Sequence, residues 1–243
     1  MIPHEVAAKL YRLGHLRGPR CVVASARQGF LALLVDLSWN SSRLDGNRYS
    51  RDAAEELLNG GARRCDVDTV MLLNHKAAIE FLVDCVVQEG LSSGVVQNLH
   101  AILMWDLIPD SSMLGAIRKK PLGVAGTLYS PMQEPDVIKA MLRSIVEKAV
   151  GIENPVEAAL FLWIQLVYLQ PFEHGNELTS RFAANIPLLL HNCAPLTFRD
   201  VTRDDYARAM LAVYELRDST LAAELLSWTY QRSMAKGAAA RDA

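Results

Sequence analysis

Within the thirteen residues Leu169–Arg181, LQPFEHGNELTSR, the chain gathers an imidazole (His174), a carboxylate (Glu177), a guanidinium (Arg181) and a side-chain amide (Gln170) around the pair Gly175-Asn176. Glycine and asparagine tolerate unusual backbone angles. A helix that starts there offers free N–H groups and the positive end of its dipole to an anion. Arg181 is the best side-chain contact for such an anion. Glu177 opposes it: a carboxylate about 5 Å from a phosphate costs about 3 kcal/mol at an effective dielectric of 20. A carboxylate also simply suits the first turn of a helix. His174 is suited to acid or base work near neutral pH, or is an exposed loop residue. Gln170 has no accessible protonation, so it positions a substrate by hydrogen bonding or caps the preceding helix, but it cannot take a proton.

Helices must hold this segment. Apolar residues recur at helical spacing through most of the chain, and alternating strand patterns are nearly absent. Phe30, Leu31, Leu33, Leu34 and Leu37 mark a first amphipathic helix that ends in the turn-rich SWNSSRLDGNRYS. Ser50 caps a helix over Arg51–Leu58, which Asn59-Gly60-Gly61 stops. A helix from Val67 to Gln88 places Val70, Leu73, Ala77, Phe81 and Cys85 on one face, and a shorter one covers Ser93–Trp105. Between Gly115 and Pro131 glycine and proline break the pattern, and a small β-hairpin flap fits there. Helices resume over Asp136–Val150. Asn154 caps the next, with Pro155 at its first position, and it carries Val156–Leu169. A helix from Asn176 to Asn192, kinked at Pro187, presents Phe182, Ile186, Leu189 and Leu190 inward. Two helices, Arg203–Tyr214 and Leu221–Ser233, close the fold.

A chain of 243 residues with 51% hydrophobic and 21% charged residues is ordinary globular material. A formal net charge of -2 gives no reason to expect nucleic acid or an anionic membrane as partner. The apolar run Ala158–Leu169 is shorter than the about 20 residues that span a bilayer, and the N-terminus lacks a secretory pattern. Cys21, Cys65, Cys85 and Cys193 form no paired or metal-ligand spacing, so a reduced cytoplasmic protein is expected. His4, His15, His75, His100 and His191 form no zinc motif, and no metal site is expected. There is no P-loop and no dinucleotide fingerprint. Trp105 and Trp163 lie in apolar helical patterns and are expected in the core.

LQPFEHGNELTSR resembles the signature of the Fic family, His-Pro-Phe-x-acid-Gly-Asn-Gly/Lys-Arg-x-x-Arg, with Pro171, Phe172, Gly175, Asn176 and Arg181 in register. Gln170 stands at the catalytic His, His174 at the metal-binding acid, Glu177 at the Gly or Lys and Leu178 at the first Arg. The LQPF opening and AANIPLL (Ala183–Leu189) are similar to a branch in which Gln already replaces the His. PLTFRDV (Pro195–Val201), Tyr206 and Val213-Tyr214-Glu215-Leu216 resemble that branch downstream. Gly115-x-x-Arg118 sits where the family places the flap that clamps a target polypeptide. SSRLDGN resembles its inhibitory motif, which maps onto Ser41, Asp45 and Gly46 and aims Asp45 at Arg181.

The resemblance implies a mainly α Fic fold: a helical bundle with a small β-hairpin flap. It divides the chain into an N-terminal segment with the inhibitory-like motif (1–60), a Fic-like core (61–235) and a disordered tail (236–243). Family enzymes transfer AMP or another phosphate-containing group to a protein hydroxyl. Here the base, the metal ligand and one phosphate Arg are replaced. A lost charged hydrogen bond at Leu178 plus repulsion from Glu177 amounts to about 5 kcal/mol against a triphosphate. Magnesium and ATP are therefore disfavoured, and the cofactor is unknown. Neutral imidazole at His174 is also a poor ligand for magnesium. The leading expectation is an enzyme repurposed to a different, small-molecule substrate, with His174, Gln170 and Glu177 as its catalytic set. Gly175, Asn176 and Arg181 would form its anion or ligand site. The alternatives are an inactive pseudo-Fic that binds a partner, and residual nucleotidyl transfer. The partner is an unknown small molecule or protein target, and a homo-oligomer is left open.

Overall fold

The apolar run before the signature becomes the axis of the structure. The computed structural model describes residues 2–16, 27–62 and 64–239. Its helices are α1 (His4–Gly14), α2 (Arg27–Leu44), α3 (Arg51–Leu58), α4 (Val67–Phe81), α5 (Ser93–Leu103), α6 (Pro135–Val150), α7 (Pro155–Leu169), α8 (Asn176–Ala183), α9 (Asn185–Leu190), α10 (Arg203–Leu211) and α11 (Thr220–Ala239). Asn154 starts α7 by accepting from Val156 N at 2.9 Å and Glu157 N at 3.3 Å, a cap that contributes about 1 kcal/mol. The helix is apolar on all sides and lies between two cores. Leu162, Leu166 and Leu169 join residues of α4, α5, α6 and α8. Leu160, Trp163 and Val167 join α1, α10 and α11 on the other side. Each fully buried side chain of this size stabilises the fold by about 1.5–3 kcal/mol, so the C-terminal end of α7 is rigidly placed.

Ser50 caps α3 as expected, accepting from Ala53 N at 3.2 Å, and Ser92 caps α5 by accepting from Val95 N at 3.1 Å. Several expectations need correcting. The helix from Val67 has the expected extent, continuing to Glu89, but widens into a π turn over Leu82–Val86 between α-helical Val67–Phe81 and Val87–Glu89. Its buried face carries Leu72, Asn74, His75, Ala78 and Ile79, whereas Ala77 is exposed and Val70 and Leu73 are half-buried. Apolar residues on every side left the rotation of this helix unspecified, and hydrogen-bonded polar residues turned inward instead. The helix after the signature is interrupted at Ala184 instead of bending at Pro187. The proline ring crowds the carbonyl four residues earlier, that of Ala183, so the break falls there. Trp105 is 59% exposed, past the end of α5, while Trp163 is fully buried as expected.

No strand forms among the described residues, and the flap region between Gly115 and Glu134 is irregular, not a hairpin. The side chain of Gln133 takes the place of a second strand. It accepts from Leu122 N at 3.0 Å and donates to Leu122 O at 3.1 Å. α1 was not foreseen. Of the expected first helix, Leu37 is buried, while Phe30, Leu31, Leu33 and Leu34 have side chains outside the described residues. α11 extends to Ala239, so the expected tail begins inside it, and residues 240–243 lie outside the described residues. Cys65 is exposed and Cys193 buried, both as free thiols, and burial pushes the Cys193 thiol up to about 12.

Candidate functional site

The signature loop starts where α7 stops. Gln170 adopts a left-handed conformation, φ 50° and ψ 59°, which ends the helix. Its side-chain Nε2 donates to Val167 O at 2.8 Å and to Tyr214 Oη at 3.0 Å. The amide thus caps the last turn of α7. Its carbonyl oxygen Oε1 has no protein donor among the described residues, although the residue is 6% exposed. The backbone oxygen of Gln170 accepts from Arg118 Nε at 2.7 Å, and Pro171 O accepts from Arg118 N at 3.0 Å. The rest of that guanidinium reaches Gln133 Oε1 at 3.1 Å and the carbonyls of Lys120 and Met132. Arg118 is therefore a buried staple between flap and signature loop, with each of its three guanidinium nitrogens bonded to protein.

Asn176 closes the loop into a ring. Its Oδ1 accepts from Phe172 N at 2.9 Å and its Nδ2 donates to Phe172 O at 2.8 Å. The side chain expected to touch a ligand is spent on backbone. What remains is the first turn of α8, whose amides at Asn176, Glu177 and Leu178 precede the first intrahelical bond, Thr179 N to Gly175 O at 2.9 Å. Leu178 is buried in the core.

His100, which no motif marked, organises the other side of the loop. It stacks on Phe172 at 3.9 Å between centroids. Gly115 N donates to its Nδ1 at 2.9 Å, so the proton sits on Nε2, which donates to His174 O at 3.1 Å. Burial lowers its pKa to about 4, against the pull of the His174 carbonyl. The sequence signal was a lone polar residue on the apolar face Val96, Leu99, Leu103. Gly115 has φ +70°, and a Cβ there would lie 2.7 Å from Gln97 O, a backbone atom. Gly175 has φ +68°, and a Cβ would meet Met104 Sδ at 2.4 Å. A left-handed residue with a side chain costs about 1–2 kcal/mol. Gly115→Ala adds a rigid clash where Gly175→Ala meets a flexible thioether. In urea titrations Gly115→Ala is expected to lose more stability, about 2–4 kcal/mol against about 1–2.

Arg181 is fully buried on α8. Its Nε donates to Ser41 Oγ at 3.0 Å, its Nη2 reaches Ser41 O at 3.4 Å and pairs with Asp45, and its face covers Tyr206 at 5.1 Å. Burial works against the charge, but Asp45, Tyr206 and Glu177 outweigh it and raise the pKa. The end of α2 is pinned to make this meeting. Arg43 Nη2 donates to Val201 O at 2.9 Å, Arg203 Nε donates to Leu44 O at 3.2 Å, and Gly46 turns at φ +92° against Arg203. Asp45 is one methylene shorter than the family's Glu and still reaches.

The signature loop, the flap, the turn after α2 and the start of α4 line an open cavity of about 460 Å³. Asp45, Glu173 and Glu177 supply carboxylates to its wall, Gln170 and His174 line it, and Met71, Met104, Leu107, Leu122 and Val124 make it apolar. Burial, then Asp45, raise the Glu177 pKa, against Arg181. His174 is exposed, and its ring makes no hydrogen bond among the described residues. Glu173 pairs at 3.5 Å with the exposed Lys120. Among the described residues no three His, Cys, Asp or Glu are grouped to hold a metal ion.

Residues 90–188 match the Fic/DOC family. The structure is similar to Fic-1 from C. elegans, with 18% identity, a TM-score of 0.76, and 98% of this chain and 72% of that one covered. It is similar to a Fic family protein from Desulfovibrio desulfuricans G20, with 16% identity, a TM-score of 0.77, and 100% and 77% covered. IbpAFic2, solved in complex with adenylylated Cdc42, is 17% identical with a TM-score of 0.56, and 96% and 69% are covered. At these identities the likeness establishes the fold.

Proposed function

Because residues 90–188 belong to the Fic/DOC family and the described chain has the Fic fold, we propose that it uses the Fic pocket for something other than ATP-dependent AMPylation, as an enzyme on a different, small-molecule substrate. Family members typically carry out AMPylation or a related transfer. The observation that carries the departure is the position of Arg181: it is fully buried and bonded to Ser41 and Asp45, and the one nitrogen left unpaired among the described residues, Nη1, is buried as well. The remaining wall is acidic, and a triphosphate brought to the first turn of α8 would face Glu177 and Asp45. Gln170 offers no basic atom for a target hydroxyl. The position of the family's metal-binding acid fits magnesium poorly, since His174 offers a neutral imidazole there to a cation that prefers oxygen.

In this reading His174 is the proton-transfer group, Glu177 the charged partner, and Gln170 a positioning acceptor. The expected result of incubation with ATP and magnesium or manganese is no AMP-sized mass increase, on the protein itself or in a lysate. An adduct on either would favour residual nucleotidyl transfer, the reaction that the IbpAFic2 complex with adenylylated Cdc42 represents in its own protein. One observation favours the pseudo-Fic reading: the Gln170 amide nitrogen is committed to helix and Tyr214. If His174→Ala and Glu177→Ala leave every ligand-induced melting shift unchanged, that second reading replaces the first.

A further inference from the structure

The cavity wall carries three carboxylates, those of Asp45, Glu173 and Glu177. Its nearest cations are already engaged: Arg181 with Asp45, and Lys120 with Glu173. Glu177 lines the same wall and makes no ion pair or side-chain hydrogen bond among the described residues. A second, independent feature points the same way. Gln170 is more than nine-tenths buried and lines the cavity, and its Nε2 is fixed on Val167 and Tyr214. The opposite end of that planar amide is an acceptor with no protein donor among the described residues, and exchanging it with the nitrogen would set an oxygen against Val167 O. Apolar side chains that include the adaptable Met71 and Met104 form the remaining wall.

We propose that this cavity binds a protonated primary amine carried on an apolar stem. The ammonium would donate to Glu177 and to Gln170 Oε1, and the stem would lie along Met104, Leu107 and Val124. This rests on the reading that the pocket no longer serves a nucleotide. One effect opposes it: the N-terminus of α8 carries roughly half a positive charge. The full negative charge of Glu177 sits in that same turn and exceeds it. The burial that raises the Glu177 carboxyl would be relieved by a cation at hydrogen-bond distance. The same chemistry exists in a free alkylamine and in a lysine side chain of a peptide.

Calorimetric titration with n-hexylammonium, with a blocked tripeptide centred on lysine, and with n-hexanol as the uncharged control separates these sources. Saturable binding of at least one amine is expected, without comparable binding of hexanol, and binding of hexylammonium alone assigns a small-molecule site. Glu177→Gln keeps shape and removes the charge. It is expected to weaken the amine about ten- to a hundredfold, the loss of one charge-assisted hydrogen bond, while its own unfolding midpoint confirms that it folds. Hexanol binding as well as hexylammonium, an unchanged affinity in Glu177→Gln, or no saturable binding of either amine overturns the assignment. A parallel arm with ATP and manganese keeps the two readings apart. Binding and adenylylation there overturn the reading of the pocket as non-nucleotide, whereas silence in all arms overturns only the amine.

Discussion

Asp45→Ala is expected to lower stability by about 3 kcal/mol and to create anion binding, without creating AMP transfer. Arg181 is fully buried, and Asp45 is its carboxylate partner with a side chain 23% exposed. Removing one partner of a buried pair leaves an uncompensated charge, at about 3–5 kcal/mol. The low end applies because water reaches the Asp45 side. Nη1 of Arg181 already has no partner among the described residues, so the guanidinium in the variant would have two open donor positions. Inorganic pyrophosphate should then raise the melting temperature of Asp45→Ala and leave the parent unchanged. The denaturant midpoint, at constant m, measures the lost stability. Transfer should stay absent because Gln170 still provides no base. A destabilisation below about 1 kcal/mol would mean that Ser41 and Tyr206 alone hold Arg181, and adenylylation by the variant would overturn the proposed loss of Fic chemistry.

The Asp45–Arg181 meeting shows what was legible in the chain and what was not. Resemblance of SSRLDGN to an inhibitory motif named both residues, yet reach could not be judged, because it depends on Arg43, Arg203 and Gly46 anchoring the end of α2. Helix positions followed from caps and breakers, as at Asn154 and Ser50. Rotation failed for α4, where apolar residues lie on all sides and the decision belongs to tertiary hydrogen bonds such as Asn74 Nδ2 to Leu103 O at 3.1 Å. The flap was read as a hairpin from its glycines and prolines. Nothing local reveals that a glutamine eleven residues away supplies the pairing that a strand would give. Asn176 was assigned to a ligand because its type suits an anion nest, whereas its four-residue spacing from Phe172 suits a ring closure better. His75 and His100 were passed over because motif searches look for clusters. Their signal was the cost of a single polar side chain on an apolar face, which only a specific partner offsets.

Those two histidines carry the other large expected effect, a steep loss of stability in mild acid. His75 is completely buried, 3.1 Å from Ser38 O through Nδ1. A carbonyl only accepts, so Nδ1 holds the proton, and Nε2 has no partner among the described residues. Burial first, and the nearby Arg181, lower its pKa from 6.5 to about 3, while burial lowers that of His100 to about 4. Both groups stay neutral in the folded chain and take up a proton in the unfolded one as pH falls below 6.5. The unfolded state binds more protons, so stability rises with pH. It is complete above about pH 6.5 and is lost progressively down to pH 4, with His75 continuing toward 3. Near pH 5 each histidine contributes about 1.4 kcal/mol per pH unit, about 2.7 together. Glu177, raised by burial and Asp45 against Arg181, acts in the opposite direction above its ordinary value of 4.5 and subtracts from that slope; the window to follow is pH 6.5 to 5. Urea unfolding across it should show the combined slope in the parent and about half of it in His75→Gln. His100→Gln should halve it too, and should also free the Gly115 amide that ties flap to signature loop. A flat profile in the parent would mean that one or both rings take up protons in the folded state, with water reaching His75 Nε2 or the Gly115 contact giving way.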